Sequence, residues 1–209
     1  MNTSLNANTN WYNGDNNTQS ATFDYTKRLS AGAQELIGDA KWYLGGHYTE
    51  ADRVPSTMYT KERGTTVWGS TSGQTCNDGA CPRATEWTGK VALIYPSDYG
   101  YATAGGTTTN RSACIGSLTT YNNTSGESWT NSSYSDCKNN DWLKPSSGYN
   151  WLLSPNSGYA SNSFRVNGSG FVNSYITYGT GAVLPAVYLQ SGVTISGGNG
   201  TQSEPYVLG

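Results

Sequence analysis

The chain has 209 residues, of which only 12% are charged, and its formal net charge at pH 7 is −2. Soluble domains carry about 25% charged residues; here Asn, Ser, Thr, 26 glycines and 16 tyrosines take their place. The abundance of aromatic residues excludes a disordered chain. The near-neutral balance and the absence of basic runs argue against nucleic acid or an anionic membrane as the partner. We therefore expect one folded α+β domain, rich in strands and loops.

The N-terminal part divides into a polar arm and the start of the domain. Residues 1–26 are rich in Asn and Thr and are predicted to form an arm or linker, followed by the domain at 27–209. Apolar residues at three- and four-residue steps predict an amphipathic helix over 27–44. No apolar leader region or membrane span is visible. We expect an excised ectodomain, or a protein that leaves the cell inside a phage particle.

After this helix the pattern changes to strands and loops. Short strands are predicted at residues 57–60 and 65–68. Residues 91–95 are apolar on both faces, which is typical of a central strand, and the Pro-Ser-Asp sequence at 96–98 is expected to end it. Residues 99–141 are rich in Gly, Thr, Asn and Ser and carry few strand signals.

The C-terminal part shows the most regular strand pattern. Residues 163–166 and 170–175 predict a hairpin around the Asn-Gly-Ser turn at 167–169. Pro185 lies inside another predicted strand and indicates a sheet edge or a bulge there. The remaining predicted strands cover residues 149–153, 183–189, 192–195 and 205–208.

The most informative stretch is residues 156–182, which contains no Lys, Glu, Gln, Met or Trp. It consists largely of Tyr, Asn, Ser and Gly and lies between two apolar, strand-like segments. Tyrosine supplies a large contact area at low entropic cost, and Ser, Asn and Gly supply adaptable hydrogen bonds. This composition on a frame of strands predicts a binding surface. The alternative is that the stretch simply matches the Tyr/Asn/Ser-rich composition of the whole chain.

The four cysteines fall into two local pairs, Cys76 with Cys81 and Cys114 with Cys137. Local pairing is favoured because the Asn-Asp-Gly turn at 77–79 brings the ends of the first pair together. Four cysteines allow three connectivities, so the other pairings stay open. Disulfides indicate an oxidising, extracytoplasmic location.

The sequence offers little that supports catalysis. His47 is the only histidine and has no nucleophile motif around it, and carboxylates such as Glu62 and Glu86 are interpreted as solvated loop residues. Asn/Asp clusters lack the regular spacing of a calcium loop. We therefore predict no catalytic residue, no metal and no cofactor. The enzymatic alternative is a hydrolase that would depend on Glu62 or Asp98.

Several short motifs form a recurrent set. They resemble the extracellular parts of pilin-like and other surface proteins of gut Firmicutes. The set comprises WYLGG at 42–46, YTKERG at 59–64, WTGKV at 87–91, YPSDYGYA at 95–102, DWL at 141–143, WLLSP at 151–155, LPAVYL at 184–189, GT at 200–201 and PY at 205–206.

The C-terminal part also resembles the variable proteins of diversity-generating retroelements, which have a C-type-lectin-like fold. In that family adenines of selected codons, commonly AAY, are randomised, and such codons never yield Lys, Glu, Gln, Met or Trp. Residues 156–182 obey that exclusion. Leu184-Pro185 stands where Arg-Pro is more usual, and the usual calcium triplets of lectins are absent. The resemblance implies these variable ligand contacts: Asn156, Ser157, Tyr159, Ser161, Asn162, Phe164, Arg165, Asn167, Asn173, Ser174, Tyr175 and Tyr178.

Together these features predict a C-type-lectin-like α+β domain, disulfide-bonded and displayed on a bacterial surface, a pilus or a phage particle. Its predicted role is recognition of a protein or glycan ligand on another cell or a phage host, without catalysis, without nucleic acid and without direct membrane insertion. The alternatives are a minor pilin that packs against copies of itself, and a hydrolase on a fold like that of formylglycine-generating enzymes.

Overall fold

A computed structural model describes residues 29–46, 54–64, 85–102, 113, 143, 147–158, 162–168, 170–177, 179–201 and 203–209. In these ranges strands predominate over a few short helices, so the predicted α+β class is confirmed. None of the helices in these ranges has the length and hydropathy needed to cross a membrane. The predicted arm at 1–26 and all four cysteines (Cys76, Cys81, Cys114 and Cys137) lie outside the described residues.

The elements follow one another from an N-terminal helix to a C-terminal pair of strands. The helices are α1 (Ala31–Leu36), α2 (Pro55–Glu62) and α3 (Pro96–Ala102). The strands are β1 (Ala40–Tyr43), β2 (Glu86–Gly89), β3 (Val91–Leu93), β4 (Tyr149–Pro155), β5 (Asn162–Asn167), β6 (Val172–Ile176), β7 (Ala182–Val183), β8 (Pro185–Val187), β9 (Ile195–Gly197) and β10 (Val207–Leu208).

The prediction of an amphipathic helix over 27–44 is correct only for Ala31–Leu36, which form helix α1. Helix α1 begins after Ser30, whose hydroxyl accepts a backbone N–H of the first turn. It ends at Leu36 because Ile37 takes extended backbone angles (φ −96°, ψ 121°) and forms an isolated bridge with Leu189. Pairing with a distant strand therefore overrides the helical spacing of the apolar residues.

Residues in the second half of the predicted helix form strand β1 instead. This strand pairs antiparallel with β2. Trp42 is buried, and its indole N–H donates to the carbonyl of Gly89 at 2.8 Å. Its neighbour Lys41 lies on the other face and forms an ion pair with Glu86 at 2.9 Å. This two-residue alternation is the pattern of a strand.

The strand predicted at residues 57–60 is also wrong, since these residues lie in helix α2. Pro55 is the first residue of the helix, where its missing N–H costs no hydrogen bond. Met58 and Glu62 are one turn apart and both buried, on a helix that packs against α3. The companion strand predicted at 65–68 lies outside the described residues.

The strand predicted at 91–95 is confirmed over β3, which is buried throughout. The chain then turns into helix α3 at Pro96 instead of continuing as a loop. The carboxylate of Asp98 accepts the N–H of Tyr95 at 2.9 Å, the bond that a third helical residue makes to the residue capping its helix.

The main sheet has the strand order β6-β5-β4-β7, and its antiparallel β5–β6 pair confirms the predicted hairpin. The Asn167 side chain accepts the N–H of Phe171 at 2.9 Å and closes the turn of the hairpin. The irregularity predicted at Pro185 is a break between two strands, β7 and β8. Strand β7 runs parallel to β4, whereas β8 begins at Pro185 and pairs with β3. The closing strands pair as β9 and β10.

The core forms two apolar clusters on opposite sides of β4. Leu152 belongs to the first cluster, with side chains of α2, α3, β5 and β6. Trp151 and Leu153 belong to the second, with side chains of β1, β3 and β7. Strand β4 is therefore covered on both faces, which fixes the hairpin that it supports.

Candidate functional site

The outward face of the β5–β6 hairpin carries the candidate site. Alternation along β5 sends Phe164 and Val166 into the core and Arg165 to the opposite face. The strand register then places Arg165 across from Asn173 on β6 and from Trp151 on β4. Because residues two apart share a face, Tyr175 joins Asn173 on that side of the sheet.

Arg165 lies between two tyrosine rings. Its guanidinium carbon is 3.6 Å from the centre of the Tyr149 ring and 3.8 Å from the centre of the Tyr175 ring. Its Nε donates a hydrogen bond to Oδ1 of Asn173 at 3.0 Å. We call Tyr149, Arg165, Asn173 and Tyr175 the arginine–tyrosine cluster. The guanidinium plane is held by the rings and its Nε edge by the amide, so the arginine is fixed before any ligand arrives.

The cluster combines a largely covered cation with exposed rings. Arg165 is only 6% exposed, whereas Tyr149 and Tyr175 are 36% and 42% exposed. Burial lowers the pKa of Arg165, and the two tyrosines oppose that shift. Among the described residues no carboxylate forms an ion pair with it. The site thus presents two aromatic surfaces around one unneutralised positive charge.

Only part of the predicted ligand contacts meet in this cluster. Arg165, Asn173 and Tyr175 are brought together there. The partly buried members Asn162, Asn167 and Ser174 lie on the same two strands. Three further predicted contacts, Tyr159, Ser161 and Tyr178, lie outside the described residues.

Three predicted contacts take structural positions instead. Phe164 is fully buried in the first core cluster, so its prediction as a surface contact is corrected: its side chain points to the inner face of β5. Asn156 and Ser157 are buried at the end of β4. The Asn156 amide donates to Ser174 Oγ at 2.8 Å and its oxygen accepts the N–H of Gly158 at 2.7 Å. The first bond ties the end of β4 to β6, and the second closes the turn that follows β4.

Sequence reasoning missed Tyr149, which precedes the predicted binding stretch. The signal was its position in β4: Tyr149 and Trp151 are two residues apart and share a face of the strand. Once β4 is paired with β5, with Tyr149 across from Asn167, the ring lies next to Arg165. The strand was predicted, but its pairing with the hairpin was not.

A second polar cluster surrounds Glu62, a residue of the enzymatic alternative. Its carboxylate is fully buried and accepts the N–H of Ser97 at 2.9 Å, the Ser97 hydroxyl, and Nη1 of Arg63 at 3.3 Å. Burial raises the pKa of Glu62 to about 7, against the lowering effect of the Ser97 hydrogen bonds. Asp98 is likewise used as an acceptor by the N–H of Tyr95, and burial raises its pKa. Glu62 holds the start of α3 against α2, and Asp98 caps the start of α3, so both carboxylates have structural hydrogen bonds.

Arg63 has the same aromatic surroundings as Arg165 but a different charge environment. Its guanidinium carbon is 3.5 Å from the centre of the Tyr59 ring and also lies near the rings of Tyr43 and Tyr95. Unlike Arg165, it is paired with Glu62 at 3.3 Å. The described part of the chain therefore contains one tyrosine-stacked arginine with a carboxylate partner, Arg63, and one without such a partner there, Arg165.

Over the part of the chain that the structure describes, no three His, Cys, Asp or Glu side chains are grouped closely enough to hold a metal ion. Comparisons with protein-family models, with curated proteins and with solved structures gave no match to this chain. What can be inferred of function therefore rests on the residues and their geometry.

Proposed function

We propose that this domain recognises a protein or glycan ligand on another cell or a phage host through the arginine–tyrosine cluster and the polar residues beside it, without catalysis. The observation that carries the proposal is the stacking of Arg165 between two exposed tyrosines, on a hairpin whose other face packs into the first core cluster. Tyrosine and arginine are the residue types that dominate the energy of protein interfaces.

The proposal extends to the fold and its setting. A C-type-lectin-like domain on a bacterial surface, a pilus or a phage particle would present such a hairpin to the outside. Variation of the outward side chains by a diversity-generating retroelement would change the ligand without touching the core. In support, the described part of residues 156–182 separates into outward residues such as Tyr175 and buried residues such as Phe164.

The test is binding of the fluorescently labelled domain to bacterial cells of the source community, measured by flow cytometry. Replacing a hot-spot residue of an interface by Ala costs about 2 kcal/mol or more, roughly thirtyfold in affinity, so we expect Tyr175→Ala to lower binding by about that factor. Tyr59→Ala is the matched control, because Tyr59 is 46% exposed and also stacks on an arginine, but on helix α2. Equal binding by wild type and Tyr175→Ala would overturn the proposal.

A structural subunit that packs against copies of itself is the second candidate. The observation in its favour is a group of exposed apolar side chains near the C-terminus, namely Val187, Tyr188, Leu189, Ile195, Tyr206 and Val207. Sedimentation velocity over a hundredfold range of concentration tests it. A constant monomer mass would remove this candidate, and concentration-dependent growth would support it.

A further inference from the structure

We propose that the arginine–tyrosine cluster binds a carboxylate of an acidic side chain, aspartate or glutamate, on the surface of a protein partner. This inference rests on the proposed recognition function and names its ligand chemistry.

Arg165 has more hydrogen-bond donors than its described partners use. A guanidinium has five N–H donors, and the Nε–H is used by Asn173. The buried polar side-chain atoms that lack a partner in the described part of the chain are Trp151 Nε1 and Ser154 Oγ. The bond to Asn173 is the one side-chain hydrogen bond that Arg165 makes among the described residues, and its Nη1 and Nη2 atoms are not among these buried atoms, so their N–H groups touch solvent. The end of the guanidinium fork is therefore accessible, while the residue as a whole is only 6% exposed.

The accessible end of the Arg165 guanidinium has a geometry that fits a carboxylate. Tyr149 and Tyr175 cover the two faces of the guanidinium at 3.6 Å and 3.8 Å, and Asn173 occupies its Nε edge. Only the edge formed by Nη1 and Nη2 remains. Two parallel N–H groups on that edge match the two oxygens of a carboxylate. The rings exclude water from the faces, which strengthens such a pair.

The single positive charge of Arg165 also favours a carboxylate as the ligand. Arg165 is the only charged residue in the four strands of the main sheet. A single fixed positive charge matches a singly charged carboxylate, whereas a doubly charged phosphate monoester is usually held by several cations. Arg63 shows the completed arrangement, a tyrosine-stacked guanidinium paired with the carboxylate of Glu62.

The exposure of the two tyrosine rings indicates which kind of molecule carries the carboxylate. The cluster lies on the outer face of a strand pair, and its rings are 36% and 42% exposed. Small molecules bind in concave sites that enclose most of their surface. An acidic side chain on a protein surface reaches the open guanidinium edge while its neighbours cover the two rings, as central residues of protein interfaces do.

The experiment is an NMR titration of the full chain labelled with 15N. The probes are the capped peptides acetyl-Gly-Glu-Gly-amide and acetyl-Gly-Gln-Gly-amide, which differ only in the charge of one side chain. We expect the glutamate peptide to shift the Nε–Hε signal of Arg165 and the backbone amide of Asn173, and the glutamine peptide to leave both unchanged. The Nε–Hε signal of Arg63 is the internal control, because its guanidinium already has a carboxylate partner.

Several results would overturn the inference. Equal shifts with both peptides, or no shift with either, would show that charge is not recognised at Arg165. Tighter binding of a phosphoserine peptide or of free glucuronate than of the glutamate peptide would show that the partner is a phosphoprotein or an acidic glycan instead. Because these titrations use the unmodified chain, they do not depend on the folding of a variant.

A variant separates this inference from the proposed function. Arg165→Met keeps an apolar stem between the tyrosines and removes the charge. We expect it to lower cell binding about tenfold or more, as loss of a buried charged contact does. If Tyr175→Ala abolishes cell binding while Arg165→Met retains it, the recognition function stands and the carboxylate inference is wrong.

Discussion

Phe164 and Arg165 are neighbours in sequence and lie on opposite faces of β5. Phe164 is enclosed in the core with Leu152 and Val172, and Arg165 lies between two exposed tyrosines. Both belong to the stretch whose composition predicts a binding surface. The strand therefore divides that stretch into positions that hold the fold and positions that can meet a ligand.

This division predicts losses of stability of different size for two aromatic substitutions on the hairpin. Phe164→Ala should lower the free energy of unfolding by about 3–5 kcal/mol, because it opens a cavity in a closed core. Tyr175→Ala should lower it by about 1 kcal/mol or less, since the ring is 42% exposed and exposed substitutions have small effects. Urea unfolding of both variants measures this. Similar losses would contradict the placement of the two residues.

Gly181 is predicted to be intolerant of a side chain. A Cβ at this position would lie 2.6 Å from Trp151 Nε1 and 2.9 Å from its Cδ1. Trp151 is buried in the second core cluster and cannot move away without disturbing it, so we expect Gly181→Ala to cost about 1–3 kcal/mol. Gly192→Ala is the control, because nothing lies within 4 Å of a Cβ there. Thermal unfolding that lowers the Tm of both variants equally would refute the contact.

The buried carboxyl of Glu62 predicts a pH dependence of stability. Its pKa is about 7 in the folded chain, against an ordinary value of 4.5. Below pH 4.5 the group is protonated in both states and has no effect. As the pH rises towards 7, the unfolded chain ionises freely while the folded chain must ionise a buried group, so stability falls by about 3 kcal/mol in total.

The variant Glu62→Gln should remove most of this fall between pH 4.5 and 7. A smaller decline should remain, because burial also raises the pKa of Asp98. The control is Glu86→Gln, whose side chain is 49% exposed. Urea unfolding at a series of pH values gives the comparison. A decline in Glu62→Gln as steep as that of the wild type would show that Glu62 is not its source.

The β5–β6 hairpin and strand β3 could be predicted because their signals are local. The β5–β6 hairpin has an alternating pattern on either side of an Asn-Gly sequence, and both strands form and pair, although β6 begins at Val172 and not at residue 170. Strand β3 was recognisable from its continuous apolar run. In these elements local preference and tertiary packing agree.

The errors fall where distant contacts decide the structure. The apolar spacing of residues 36–44 fits a helix, yet Ile37 bridges to Leu189 and β1 pairs with β2. The β-branched and aromatic residues at 57–60 suggest a strand, but Pro55 begins a helix that buries Met58. A single sequence does not contain the identity of the pairing partner.

The candidate site could be located to a segment but not assembled. The resemblance to the variable proteins of diversity-generating retroelements implied Arg165, Asn173 and Tyr175 as contacts, whereas Tyr149 enters only through the register of β4 against β5. The same resemblance implied Phe164, because a rule about which residues a codon can encode does not distinguish the two faces of a strand. Which face of the sheet becomes buried is decided only when the strands pair and pack in the folded protein.

The most direct test of a diversified recognition surface is deep sequencing of this gene across many cells of the source population. Substitutions should concentrate at outward positions of the hairpin, such as Asn173 and Tyr175, while Phe164, Val166 and Val172, all of which are buried, stay unchanged. Substitutions spread evenly along the chain, or as frequent at Phe164 as at Tyr175, would contradict the account and indicate a fixed-ligand adhesin or a structural subunit.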